Sequence, residues 1–502
     1  MEEYKRLLNA IGEYGEVTEV RYPLLTVVGL PKARLHEVVL FEDGMHGEVF
    51  SLSQHYAKVL MYDARPVRVG TKLVRTNQVA SVRVGKELLG CIVDPLGRII
   101  ESPQNFTPPV DTVEIRADVK SISARSLIKK QFVTGITMVD LLVPLGEGQK
   151  ELVIGDRKTG KTSFFFSCVK QNADRITVYA LIGKNMAEVR YITSLYQKTG
   201  FNKNVIFVVA SSNDSSGMIY LTPYSAMAIA EYFRDRGLDV LVIMDSLSLH
   251  AKFYREISLL AGGFPGKESY PGDMFYTHAS LLERAGNFIH ESGHDVSITC
   301  LPVVETIEGE ISSYIPTNVM GMTDGHLFFD SNSYYKGRRP PIDLTLSVTR
   351  VGKQTQSSLQ REINQELMTF ITHYERLQNI SYFGTELSQK VKDQLKKGEI
   401  LYRLFNQRYS VILPLNLQLL LFALVWLNIF TKYTDITIEE VRDIYYQSYN
   451  DPLLQGIFKE MTAAENLYQL LTIVSRCESE LRKLWETKKA SSKTVNSSTP
   501  SS

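Results

Sequence analysis

The feature that most restricts what this chain can fold into is the octapeptide GDRKTGKT at 155–162. It fits the pattern G-x-x-x-x-G-K-[ST], follows the apolar run ELVI and opens into SFFFSCVK, so that strand, loop and helix come in that order. This context separates a phosphate-binding loop from a chance glycine-rich turn. The loop comprises Gly155, Asp156, Arg157, Lys158, Thr159, Gly160, Lys161 and Thr162. Its glycines let backbone N–H groups turn inward around a phosphate, and the helix N-terminus adds partial positive charge. Lys161 is placed to reach the β- and γ-phosphates, and the Thr162 hydroxyl to ligate Mg2+.

Such a loop needs an acidic partner at the end of a neighbouring strand. The run DVLVIMD at 239–245 supplies Asp245, expected to hold Mg2+ through water. Strand-end aspartates also cap the helix that follows, and Ser246 and Ser248 are alternative caps here. The metal role is preferred because the loop calls for a carboxylate.

The rest of the chain sorts into a multi-domain plan. A chain of 502 residues exceeds one core. Residues 1–85 form a first domain, whose short strand-like runs from about 13 onward, with close turn signals, favour a small β-barrel or sandwich. From 86 to 354, apolar runs such as ITVYALIG, NVIFVVA and VSITCLPVV alternate with helical stretches, the mark of an α/β domain with a mostly parallel sheet. Residues 355–486 read as an α-helical domain, and 487–502, rich in Ser and Thr, as a disordered tail. The stretch VILPLNLQLLLFALVWLNIF (411–430) has the length of a spanning helix, but Pro414, Asn416, Gln418 and Asn428 favour a buried helix. The chain shows no signal peptide and is expected to be soluble.

Lys and Arg total 56 against 55 Asp and Glu, so no global field attracts nucleic acid or an anionic membrane. A nucleic-acid motor would want a basic, aromatic-rich binding domain, which the first 85 residues lack. The four cysteines form no C-x-x-C pair and read as buried thiols. HESGH at 290–294 matches the zinc signature H-E-x-x-H, which needs both histidines on one helix face. Here Gly293 interrupts it and a strand follows at once, so it reads as a loop after a helix ending near Asn287.

Several motifs converge on one family. GDRKTGKT, SLLAGGFPGKESYPGDMFYTHASLLERAG (258–286), ISSYIPTNVMGMTDG (311–325) and RPPIDLTLSVTRVG (339–352), in that order, resemble the alpha subunit of F-type ATP synthases. The likeness is good from about residue 15 to 410 and fades beyond. The GDR-x-TGKT form of the loop is alpha-like, whereas beta chains carry a loop like GGAGVGKT.

The resemblance implies an N-terminal barrel and an alternating hexamer of three alpha and three beta-type catalytic subunits around a gamma-type shaft, with a delta-type peripheral stalk. It implies bound ATP or ADP that this chain does not turn over. Membrane contact would run only through the complex, on the cytoplasmic face of a bacterial membrane or the matrix side of the mitochondrial inner membrane, coupled to proton or sodium-ion transport. Arg350, after LTLSVT, matches the arginine finger that reaches the neighbouring catalytic site, and Arg157, Arg339 and Gln407 match positions near the nucleotide.

The chain also departs from the pattern. Hydrolysis needs a group that takes a proton from, or orients, the attacking water. Catalytic relatives place glutamate there and alpha chains glutamine; here ITVYALIG is followed by Lys184, which either pairs with a phosphate or points to solvent. Gly321 replaces a serine, Ser246 a second acidic residue, and Gly262 and Gly263 stand where arginines face the shaft. About a dozen residues precede the first strand, so weaker attachment to a peripheral stalk is expected. The alternative of a self-sufficient homohexameric export-type ATPase would want a catalytic glutamate after ITVYALIG.

Overall fold

The computed structural model describes residues 2–381, 388–433 and 436–496, which pack as two compact units interleaved along the chain. One holds the residues up to Ile128, Glu147–Thr162 and Ala173–Phe329, the other Lys129–Gly146, Ser163–Asn172 and the chain from Asp330 onward.

In the first unit, six strands close into a barrel in the order Gly15–Arg21, Leu24–Val28, Ala57–Met61, His46–Leu52, Glu37–Phe41, Lys72–Val79, the last pairing with the first. Inward positions such as Val17, Leu25, Val39, Phe41, Val49 and Val59 form its core. Between barrel and sandwich, the short strands settle on the closed form.

The same unit carries six parallel strands: β1 Glu151–Asp156, β2 Ile176–Lys184, β3 Val205–Ser211, β4 Val240–Asp245, β5 Asp295–Thr306 and β6 Gly325–Phe329. Their order across the sheet is β6-β1-β5-β4-β2-β3. Every residue of β2, β3 and β4 is buried, which is why these strands read as continuous apolar runs. Helices α1 Lys161–Gln171, α2 Met186–Thr199, α3 Ser216–Arg234 and α4 Leu247–Leu260 follow strands β1 to β4 in turn. Connections from strand ends into helices are where such sheets bind ligands.

One expectation is corrected here. The helix before HESGH ends at Leu282, and Gly286–Ile289 is a strand paired antiparallel with the start of β5. Cross-strand pairing overrides the local helical pattern. HESGH is thus the turn of a hairpin, with Gly293 at φ +85° and Ser292 Oγ bridging His290 Nδ1 (2.6 Å) and His294 Nδ1 (2.7 Å). The helical spacing a zinc protease requires is not formed.

The second unit is mostly helical, with described strands at Gln131–Phe132, Leu145–Gly146 and Ile342–Thr349. The apolar 411–430 stretch contains a 12-residue helix, Leu415–Trp426, buried nearly all round. Among the described residues no helix is long and apolar enough to cross a membrane. Asp140 is locked within this unit: Oδ1 accepts from Thr134 N (2.8 Å) and Oγ1 (2.7 Å), and Oδ2 from Gly135 N (2.9 Å) and Gln418 Nε2 (2.7 Å). Burial pushes its carboxyl up to about 6, with those hydrogen bonds opposing the shift. The last helix, Glu478–Asn496, runs ten residues into the stretch read as a tail. No Gly or Pro interrupts KKASSKTVN, and Lys and Ala favour continuation of a helix already nucleated; residues 497–502 lie outside those described.

The four cysteines are buried and unpaired.

Candidate nucleotide site

The loop between β1 and α1 is built by close approach. A Cβ on Gly155 would lie 2.3 Å from the Phe329 carbonyl oxygen on β6, so only glycine lets β1 enter the loop there. Asp156 then pins the loop to the end of β5, its Oδ1 accepting from Thr306 Oγ1 (2.6 Å) and Gly309 N (2.9 Å). Thr159 Oγ1 donates to Asp156 O at 2.7 Å and closes the turn. Lys158 and Gly160 adopt left-handed φ values of +62° and +93°. Lys161 and Thr162 open α1, where unpaired helix N–H groups collect.

Lys161 Nζ donates to the carbonyls of Gly155 (2.9 Å) and Asp156 (2.5 Å), so its ammonium lies inside the loop it is expected to serve. Burial pushes it down to about 8; Asp245 and Glu305 act the other way, and Lys184 adds to the depression. These four charges therefore share one electrostatic site. Arg157 Nε pairs with Glu305 Oε2 at 2.8 Å, on an arginine that is itself exposed, as is Lys158.

Asp245 ends β4 and is 4% exposed. It does not cap the following helix: Ser246 does, accepting from Leu249 N, while Ser248 Oγ accepts from Glu305 N at 2.8 Å. The carboxylate instead faces Lys184, whose Nζ lies 2.9 Å from Oδ1; the Tyr179 hydroxyl is 3.4 Å from Oδ2. Strand register explains the meeting, since β2 and β4 are neighbours with Leu181 beside Asp245. Lys184 is 8% exposed, so it is not a solvent-facing side chain. Burial works to lower its ammonium, but the charge and hydrogen bond of Asp245, with Glu305 and Glu188, hold it above the ordinary lysine value.

This pairing bears directly on the metal role expected for Asp245. The carboxylate is already neutralised by Lys184, which leaves the Thr162 hydroxyl as the one protein donor named for Mg2+. Among the described residues, no three His, Cys, Asp or Glu side chains gather to hold a metal. The carboxylate expected to hold Mg2+ through water is thus engaged by an ammonium in this structure.

The remaining predicted residues belong to the second unit. Arg339 Nη1 donates to the carbonyls of Tyr334 (2.8 Å) and Arg338 (2.7 Å), and its guanidinium lies 3.7 Å from the centre of the Tyr334 ring. It helps line a cavity of about 280 Å³ with Met138, Arg338, Tyr402 and Arg403. Gln407 is buried and its amide is fully engaged: Oε1 accepts from Thr137 N and Oγ1 (3.2 Å each), and Nε2 donates to Gly135 O (2.6 Å) and Val411 O (2.7 Å). That is the pattern of an anchor. Arg350 is exposed just past Thr349. Its backbone is fixed on both sides: Thr349 Oγ1 donates to Pro144 O at 2.8 Å, and a Cβ on Gly352 would sit 1.7 Å from that oxygen.

Sequence reasoning missed Glu305, which ends an apolar strand as Asp245 does and carries the same signal. It also missed the loop-fixing role of the Asp156 carboxylate. Gly262 has a conformational reason for being glycine, since it follows the end of α4 at φ +84°. Gly321 has open space around its Cβ position, so packing does not demand it.

A phosphate-binding loop at the carboxyl end of a parallel sheet, with a buried strand-end carboxylate beside it, defines a P-loop nucleotide-binding protein. Residues 135–349 match the nucleotide-binding domain of the ATP synthase alpha/beta family, and residues 356–477 the C-terminal domain of ATP synthase alpha/beta chains. The chain belongs to the ATP synthase alpha/beta family. It is 39% identical to ATP synthase subunit alpha 3 of Paraburkholderia xenovorans over 414 residues, covering 82% of this chain and 78% of that one. It is 38% identical to ATP synthase subunit alpha of Limosilactobacillus fermentum, covering 83% and 81%, and 34% identical to that of Wolbachia pipientis, covering 89% of each.

Proposed function

We propose that this chain is the nucleotide-binding, non-hydrolysing alpha-type subunit of a rotary ATP synthase or ATPase. The observation that carries the reading is the buried Lys184–Asp245 pair at the end of β2. Water activation needs an acceptor there, and an ammonium has no lone pair with which to take a proton. ATP or ADP is bound and retained by the loop, with Lys161 and the N-terminus of α1 on the phosphates. Mg2+ enters only as a companion of the nucleotide, with Thr162 as a donor.

Arg350 acts elsewhere. Exposed on an anchored strand end, it is presented to the catalytic site of a neighbouring beta-type subunit, in an alternating hexamer of three copies each around a gamma-type shaft. A delta-type stalk and a proton- or sodium-conducting membrane sector complete the machine, which this chain meets only through the complex.

The test is ATP hydrolysis by the full-length chain alone and reconstituted with its beta-type partner. The chain alone is expected to retain ATP without turnover. Arg350→Ala is expected to leave that binding intact and lower hydrolysis by the complex about 10³-fold or more. Turnover by the chain alone at about one per second, abolished by Lys161→Ala, would instead establish a self-sufficient ATPase.

A further inference from the structure

We infer that Lys184 is a tethered cation that takes over the charge role of the divalent metal in this nucleotide site, so that the chain binds ATP or ADP with little dependence on Mg2+. The inference rests on the nucleotide-binding reading above and goes beyond it.

The argument is one of charge and coordination. A triphosphate in a buried loop needs positive charge beside its terminal oxygens, normally shared between the loop lysine and a metal held through a strand-end carboxylate. Here the carboxylate is Asp245, and its place in that chain of contacts is taken by a side chain. Lys184 Nζ lies 2.9 Å from Oδ1, and Tyr179 OH lies 3.4 Å from Oδ2. A metal drawing on Asp245 would first have to displace a buried ammonium and then sit beside it, with Lys161 also near. Two lysines, each less than a tenth exposed, stand between the loop and β4, with Asp245 offsetting one of their charges. Lysine suits the role because its ammonium is a compact point charge with three donors on a flexible stem. It can bridge Asp245 and a phosphate oxygen where a metal ion would.

The other negative groups near the loop are also committed within it. Glu305 pairs with Arg157, and Asp156 holds Thr306 and Gly309. The site therefore offers phosphate two buried ammonium groups, beside carboxylates that each have a partner within the protein.

The experiment is calorimetric titration of the full-length chain with ATP, first in EDTA and then in excess Mg2+. The expected result is a change in Kd of less than about threefold between the two, since the tethered charge is present in both. Lys184→Gln is expected to lose tenfold or more in EDTA and to recover in Mg2+, while Lys184→Arg, which keeps the charge, stays close to the parent in EDTA. A purely structural Lys184 would weaken binding equally in both buffers, which overturns the inference, and circular-dichroism melting of each variant separates misfolding from lost affinity. The comparison of the parent chain in the two buffers needs no variant at all: a tenfold or greater loss in EDTA overturns the inference and leaves the nucleotide-subunit reading standing. No ATP binding in either buffer overturns both.

Discussion

Two buried ion pairs in the first unit look alike in composition and differ in what surrounds them. On a barrel strand, Glu48 is fully buried: Arg116 Nη2 lies at 2.8 Å, the Tyr62 hydroxyl donates at 2.7 Å, and His36 approaches at 3.7 Å. Burial alone would raise its carboxyl, but Arg116 and His36 with the Tyr62 hydrogen bond hold it down to about 2. The Arg116 guanidinium in turn lies over the rings of Tyr220 and Tyr224, 5.3 and 5.1 Å from their centres. At the phosphate loop, Asp245 has one strong partner and one long hydrogen bond, with a second lysine nearby whose ammonium is pushed down to about 8. In the first arrangement the carboxylate charge is met by a guanidinium and a hydroxyl at hydrogen-bond distance. The second holds an excess of cation beside a helix N-terminus, which is what an anionic ligand would relieve. A buried charge pair therefore points to function by what it lacks.

That contrast can be broken most directly at Glu48. Glu48→Ala strands Arg116 without its carboxylate and is expected to cost about 3–5 kcal/mol in chemical denaturation, with ATP affinity unchanged within about twofold. A comparable loss of affinity would mean that the two pairs are coupled. Acid supplies the next largest effect. The Glu48 carboxyl is depressed in the fold, so its contribution is fully present above its ordinary value near 4.5 and is lost as pH falls toward about 2. The difference corresponds to roughly 3 kcal/mol. Denaturation midpoints of parent and Glu48→Gln should converge across that window, and parallel curves would contradict the assignment. Lys161→Ala sharpens the other side. Because Lys161 bonds only loop carbonyls and the Thr159 hydroxyl (3.4 Å), ATP affinity should fall a hundredfold or more, about 2.7 kcal/mol. Unfolding free energy should move by less than about 1 kcal/mol, and a larger loss would make the lysine a structural residue.

What the sequence makes legible follows from the range of the physics. The phosphate loop is readable because its function lies in local spacing, and the parallel sheet because its buried strands run apolar without alternation. The short strands of the first 85 residues leave barrel and sandwich open, since closure depends on the pairing of Gly15 and Glu16 with Leu73 and Lys72, far apart in sequence. The same limit hides the Lys184–Asp245 contact. Each residue ends an apolar strand, but only the sheet order makes those strands neighbours, so Lys184 could be read as solvent-facing or phosphate-facing and not as a carboxylate partner. Asn287 shows the converse error, a residue with helical flanks drawn into a hairpin by its partner strand. Gln407 matches a position near the nucleotide by resemblance, and its four hydrogen bonds to Gly135, Thr137 and Val411 are likewise invisible without tertiary structure.

The closed six-strand ring has a consequence for crowding. An open sheet ends in a row of unpaired N–H and C=O groups that can template the strand of another molecule. In the ring the first strand bonds the last, so no such seam is offered. Copies of this module can be pressed rim to rim at high local density and meet through side chains alone, without exchanging backbone or seeding fibrils.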